Sequence, residues 1–258
     1  MSWIEFPDYG IIDAHMHPYL RHHRAFDFGV PLDYDEFFAE QHRAGISLSC
    51  GAFNIINDGS DFEVIRTCNE NVLALHRERP DEFLPGVNIH PFFPEESCQE
   101  IQRFYDMGFR WVGEIAGYVM GYKYYSSESM FEIFELIRDR NMALNFHPTS
   151  LEDLEKIAGN FPTLNIIMAH PGQLGLIPCY ELAQKYPNIH YDISGSGLTR
   201  WGMLRKGMEM IGPDRFLFGT DFPIVNPGMY VAAVLFEHLP EAWLKMLLRD
   251  NFLRLIGK

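Results

Sequence analysis

The chain has 258 residues, 47% hydrophobic and 22% charged, an ordinary globular composition. Its net charge of −14 argues against a nucleic-acid groove or an anionic membrane surface, since both need clustered Lys and Arg. No apolar run approaches the roughly 18 residues of a membrane span, the opening "MSWIEFPDYG" lacks the features of a signal peptide, and four cysteines without a C-x-x-C pair read as reduced thiols of a cytoplasmic protein.

The first element is "GIIDAHMHPY", residues 10–19. Its isoleucines read as a buried strand, and Pro18 ends the ladder because it has no N–H to give. Residues i and i+2 of a strand share a face, so His15 and His17 project together, as a divalent cation requires. Further apolar runs begin near Ile46, Phe83, Phe109, Met142, Leu164, Asn188 and Arg215. Most are continuously apolar, the pattern of parallel strands covered on their faces by helices. Between them lie helical stretches such as "DYDEFFAEQHRAG" and "SESMFEIFELIRDRN", one closing on Gly and the other opening on Ser and acidic residues. "PEAWLKMLLRDNFLRLIG" adds a C-terminal helix. Eight β/α units predict a single-domain (β/α)8 TIM barrel over residues 1–258. The alternative, a doubly wound open sheet, rarely reaches eight clean units, and no G-x-G-x-x-G follows any strand.

Function in such a barrel sits at the C-terminal ends of the strands. Strand one delivers His15 and His17 there, strand three His90, strand four Glu114, strand five His147, strand six His170 and strand eight Asp221. His17, His90, His147 and His170 each precede a proline, and no other histidine does. Proline biases its predecessor to extended geometry, which predicts strand-like orientation for each of these imidazoles. His90 reads better as a substrate contact or support than as a ligand. His190 begins its strand and reads as structural.

"DAHMH", "NFHPTS", "IIMAHPG" and "LFGTDFP", in that order on strands one, five, six and eight, resemble the amidohydrolase superfamily, and within it the TIM-barrel metal-dependent hydrolases of amidohydrolase family 2. The resemblance covers nearly the whole chain, down to "RDNFLRLIG". It implies that His15, His17, His147 and Asp221 bind a divalent metal, zinc first and manganese as the alternative, and that His170 is a ligand or a catalytic group. "VGEIAGY" departs from many single-metal members by ending strand four on Glu114, a place similar to the bridging carboxylate of two-metal relatives such as the TatD-like deoxyribonucleases. One or two ions are therefore expected, with Glu114 bridging in the second case.

A cation so held lowers the pKa of bound water towards about 7, Asp221 is placed as general acid–base, and His170 stabilises the developing oxyanion if it is not a ligand. The expected reaction is hydrolysis of an amide, lactone or ester bond in a small molecule. Non-oxidative decarboxylation is one alternative, weakened because "HPGQLG" stands where some decarboxylases of the branch carry an "HGGG"-like run. A TatD-like phosphodiesterase and a metal-binding protein without turnover are the others. Arg21 and Arg24 of the first long loop and Tyr118 and Lys123 of the fourth, with His90, are the candidate substrate contacts, suited to a carboxylate-bearing or ring-bearing molecule. Beyond a small-molecule substrate no partner is implied, and homo-oligomerisation is left open.

Overall fold

The structure, a computed structural model, describes residues 7, 9–21 and 29–258. Eight strands alternate with helices: β1 (Ile11–Met16), α1 (Tyr34–Arg43), β2 (Ile46–Gly51), α2 (Phe62–Glu78), β3 (Phe83–Pro85), α3 (Pro94–Asp106), β4 (Trp111–Ile115), α4 (Glu128–Asp139), β5 (Ala143–Phe146), α5 (Leu151–Asn160), β6 (Asn165–Met168), α6 (Leu176–Lys185), β7 (Ile189–Asp192), α7 (Met203–Ile211), β8 (Phe216–Leu217) and α8 (Pro227–Leu235). Several helices begin where a short polar side chain accepts the first free N–H groups: Asp33, Asp61, Ser127, Ser150 and Asn226. The C-terminal helix is not uniform. A π-helical turn at Met246–Asp250 joins α9 (Glu241–Lys245) to α10 (Asn251–Leu255).

All strand pairs are parallel, in the orders β1-β2-β3 and β4-β5-β6-β7-β8. Two parallel bridges, Val87 to Val112 and Met16 to Phe222, close the ring. The outer core packs β-strand residues such as Ile11, Val112, Phe146 and Ile166 against the helices. A second cluster gathers Ile12, Cys50, Trp111, Ala143, Ile167 and Leu217 from six strands with Phe252, Leu255 and Ile256 of the C-terminal segment. Residues from six strands meet only inside a barrel. Because Trp111 is the first residue of β4 and its ring lies 5.2 Å from Phe252, the C-terminal segment plugs the end where the strands begin. The opposite end is left for polar chemistry.

The β1–β8 seam is also held by side chains. Asp13 accepts hydrogen bonds from the backbone N–H groups of His15 (3.1 Å) and Thr220 (3.0 Å), from Gln41 Nε2 (3.3 Å) and from the Thr220 hydroxyl. That hydroxyl in turn accepts from Phe222 N at 3.0 Å. Burial pushes the Asp13 carboxyl up to about 6 even so. Thr220→Val keeps the shape and leaves both partners short of a bond, so urea unfolding is expected to show a loss of about 1–3 kcal/mol with an unchanged slope. An unchanged midpoint would show that the seam does not depend on this hydroxyl.

His190 lies in β7 opposite Ile167, fully buried, as its structural reading predicts. Burial, then the charges of Arg215 and Arg254, push its pKa down from 6.5 to about 3. It stays neutral in the folded chain while the unfolded chain protonates, so stability falls as pH drops from 6.5 towards about 3. In His190→Leu, the loss of unfolding free energy between about pH 7 and pH 5 is expected to be smaller than in the parent by about 2 kcal/mol. Equal losses in the two proteins would place the acid sensitivity elsewhere.

Candidate metal centre

His15 and His17 do project together from β1. Their Nε2 atoms approach Glu114 Oε2 at 3.5 and 3.3 Å. Glu114 comes from β4, and its carbonyl accepts from Asn54 Nδ2 at 3.3 Å. Asp221, in the turn after β8, places Oδ1 3.8 Å from His15 Nε2 and 3.6 Å from His17 Nε2. His170 directs Nε2 at Glu114 Oε1 (3.2 Å) and Asp221 Oδ2 (3.8 Å). His147, directly after β5, meets Glu114 Oε1 with Nδ1 at 3.2 Å, and its Nε2 lies 2.8 Å from Gln173 Oε1. All six side chains are buried.

The far side of each imidazole sets which nitrogen faces the cluster. His17 Nδ1 lies 2.9 Å from the Ala52 carbonyl, which only accepts, so Nδ1 carries the proton and Nε2 offers a lone pair. His15 Nδ1 lies 3.0 Å from Asp192 Oδ2, which likewise keeps a proton on Nδ1 and leaves Nε2 as the lone-pair nitrogen of the neutral ring. Ser194 donates its hydroxyl proton to Asp192 Oδ1, and its oxygen lies 3.1 Å from both His15 Nδ1 and His170 Nδ1.

The backbone at His170 departs from the extended geometry expected before Pro171, and Asp221 shares its conformation. His170 has φ 53° and Asp221 φ 65°, both in the left-handed region. The chain reverses sharply after β6 into a single 3-10 turn, Pro171–Gln173, and that reversal outweighs the bias of the following proline. Left-handed non-glycine residues cost about 1–3 kcal/mol each and persist where surrounding structure over-determines them. Gly195 is part of that surrounding: a Cβ there would overlap His170 Nδ1.

Electrostatics follow the same geometry. Burial opposes charge on His15, but Asp192 and then Glu114 outweigh it and hold the imidazole well above its usual range. Burial likewise opposes charge on Glu114, yet the charge of His15 and then the close imidazoles of His147, His15 and His17 hold its carboxyl well below the usual range. Burial raises the Asp221 carboxyl despite the opposing imidazoles.

The residues present fit a divalent cation. Among the described residues, buried His15 Nε2 and Asp221 Oδ1 find no hydrogen-bond partner. Among the described residues, two groups of three donors converge: His15, His17 and Asp221, and His15, Glu114 and His170. The four distances joining His15 and His17 Nε2 to Glu114 Oε2 and Asp221 Oδ1 run from 3.3 to 3.8 Å. A tetrahedron of ligands about 2.1 Å from an ion has edges of about 3.4 Å. Both groups share His15, and neither includes His147, whose Nε2 is directed at Gln173.

The candidate substrate contacts separate. Tyr118, 65% exposed, places its ring 4.9 Å from His147, and the two line a cavity of about 470 Å³ with Pro148, Thr149, Gln173 and Leu174. Loss of hydration, then the negative charges of Glu114 and Asp221, push the Tyr118 hydroxyl up to about 12. Lys123 is exposed, with Nζ 5.1 Å from the Tyr124 ring, and Arg21 is exposed on the first loop. Arg24 lies outside the described residues. His90 does not end its strand, because β3 stops at Pro85. It is fully buried, with Nε2 2.8 Å from the Met120 carbonyl and Nδ1 accepting from Phe92 N at 3.2 Å, so neither nitrogen is offered to a substrate. Asp192, Ser194 and Gln173 went unassigned from sequence. The first two repeat, at the end of β7 and just after it, the i, i+2 spacing of His15 and His17, the signal that marks them.

The amidohydrolase family profile matches residues 12–258. Among curated proteins, no sequence matches this chain. Similar solved structures include 2,6-dihydroxybenzoate decarboxylase from Rhizobium, 19% identical, covering 96% of this chain and 98% of that one at a TM-score of 0.76. The 5-carboxyvanillate decarboxylase of Sphingomonas paucimobilis is 14% identical over 96% and 99% of the two chains, at a TM-score of 0.73. A dihydroxybenzoic acid decarboxylase from a Polaromonas species, with bound manganese and the inhibitor 2-nitroresorcinol, is 17% identical over 96% and 97%, at a TM-score of 0.76.

Because the two donor groups share His15, protein loaded with excess Mn²⁺ and desalted is expected to hold one ion per chain by elemental analysis. Glu114→Gln is expected to lose most of it and His147→Gln to retain it. Two equivalents in the parent would restore the bridged arrangement, with Glu114 between two ions.

Proposed function

Because the chain belongs to the amidohydrolase family, we propose that it is a divalent-cation-dependent enzyme that decarboxylates a small hydroxylated aromatic acid without oxidation. His15, His17, Glu114 and Asp221 would hold the ion, and His147 would steady Glu114. The observation that carries the reading is the pair formed by Asp221 and His170. Asp221 Oδ2 lies 3.8 Å from His170 Nε2, in a cluster whose His147 also lines the cavity with Tyr118. Proton delivery to carbon needs an acid and its partner held together beside the reacting atom. The decarboxylase activities of the three solved relatives support the same choice.

The cation, when bound, supplies positive charge for the substrate's carboxylate and a neighbouring oxygen. Tyr118, whose ring packs on His147, would wall the substrate's ring. Asp221, or His170 when its ring carries a second proton on Nε2, gives a proton to the ring carbon that bears the carboxylate. The bond from that carbon to the carboxylate then breaks, its electron pair restores the aromatic ring, and carbon dioxide leaves. The substrate anion and one proton become the arene and CO₂, so no oxidant is needed. The "HPGQLG" turn does not stand against this reading: it presents His170 from its left-handed position and sends Gln173 to His147. Manganese is the ion to test first, since the Polaromonas relative carries it.

Mn²⁺-loaded protein is expected to release CO₂ from members of a hydroxybenzoate panel and to stop on chelation. Asp221→Asn, which keeps the shape and cannot supply the proton, is expected to lower the rate about 10²–10⁴-fold. Hydrolysis of lactones or amides with no CO₂ from any acid would replace this reading with the hydrolytic one. Turnover of phosphodiesters alone would favour a TatD-like activity.

A further inference from the structure

Behind the donor cluster stands a carboxylate that the chemistry above does not use. Asp192 is fully buried at the end of β7. Its Oδ2 meets His15 Nδ1 at 3.0 Å and accepts from Asn145 Nδ2 at 2.7 Å. Its Oδ1 accepts from the backbone N–H of Ser194 at 3.1 Å and from the Ser194 hydroxyl. The only proton on that hydroxyl is thereby committed to Asp192, so the oxygen is left as an acceptor. His170 Nδ1, 3.1 Å away, must then be the donor in their contact. Both imidazoles consequently keep a proton on Nδ1, and in the neutral ring each turns an Nε2 lone pair towards Glu114 and Asp221.

We propose that Asp192 and Ser194 form a divided anchor, in which Asp192 positions His15 directly to hold the cation and Ser194 extends the same carboxylate's hold to His170, setting the nitrogen that acts on substrate. The inference rests on the decarboxylase reading only for the job assigned to His170. Asp192 and Ser194 are positioning residues, because neither reaches the cluster. The close approach depends on Gly195, whose carbonyl accepts from the Tyr230 hydroxyl and which leaves room for the His170 ring.

The two branches separate by substitution. Outer partners of metal-binding histidines are worth about 10–100-fold in affinity, so Asp192→Asn is expected to weaken Mn²⁺ binding by that factor, read from the paramagnetic resonance of free Mn²⁺. Ser194→Ala removes one hydroxyl and leaves the His15–Asp192 bond in place, so its Mn²⁺ affinity is expected to stay within about threefold of the parent. Its kcat is expected to fall about 10²-fold, the effect of misplacing a reacting group, with KM little changed. Nitrogen NMR of isotope-labelled histidine in Zn²⁺-loaded protein supplies the readout that needs no turnover: His170 carries its proton on Nδ1 in the parent and loses that preference in Ser194→Ala. Equal losses of Mn²⁺ affinity in the two variants would show one undivided support and overturn the proposal. An unchanged His170 tautomer in Ser194→Ala would overturn it as well. Failure of the decarboxylase reading would appear as absence of CO₂ release by the parent protein, with ion affinities and tautomers still measurable, so the two failures are distinguishable.

Discussion

Imidazole lone pairs aimed at buried carboxylates are the constraint around which this molecule is arranged. His15 and His17 turn Nε2 towards Glu114 and Asp221 while their Nδ1 protons are engaged elsewhere, by Asp192 and the Ala52 carbonyl. Lone pairs facing negative oxygens at 3.3–3.8 Å repel unless positive charge lies among them. The cost of assembling such a set in a dry place is offset only by a cation or by bound protons. The surrounding structure therefore has to hold groups where they would not settle unaided. The left-handed backbones of His170 and Asp221, and the carbonyl of Glu114 held by Asn54, are that support.

The barrel makes the support rigid by separating its two ends. One is filled by the apolar inner cluster and the C-terminal segment, so its packing needs no polar partners. At the other, polar side chains satisfy one another across strands. Asp13 ties β1 to the Thr220 turn, and Asp192 ties β7 to His15 of β1 and Asn145 of β5. Each tie crosses the ring between residues remote in sequence. A shift of one strand would thus misplace ligands contributed by two others, which is why the site's geometry depends on barrel closure as well as on local loops.

The same cluster admits two chemistries, and proton placement separates them. Hydrolysis needs a base that takes a proton from water. Decarboxylation of an aromatic acid needs an acid that gives one to carbon in a space that excludes water. Burial raises the Asp221 carboxyl beside His170, and the adjoining cavity is lined by Tyr118, Pro148 and Leu174.

From its sequence alone the chain was legible as an eight-unit β/α barrel, because parallel strands covered on both faces must be continuously apolar and the helices between them carry their own start signals. The residues destined for the rim were legible too. Each lies in or just after an apolar run, and two share a strand face through the period of two that any strand imposes. What lay beyond local pattern was which nitrogen of each ring faces the centre, that His90 turns inward to the Met120 carbonyl, and that Asp192 and Ser194 stand behind both His15 and His170. These are decided by contacts such as His15 with Asp192, 177 positions apart. Strand periodicity specifies a side chain's face. Only closure of the ring brings the partner that sets its proton and its aim.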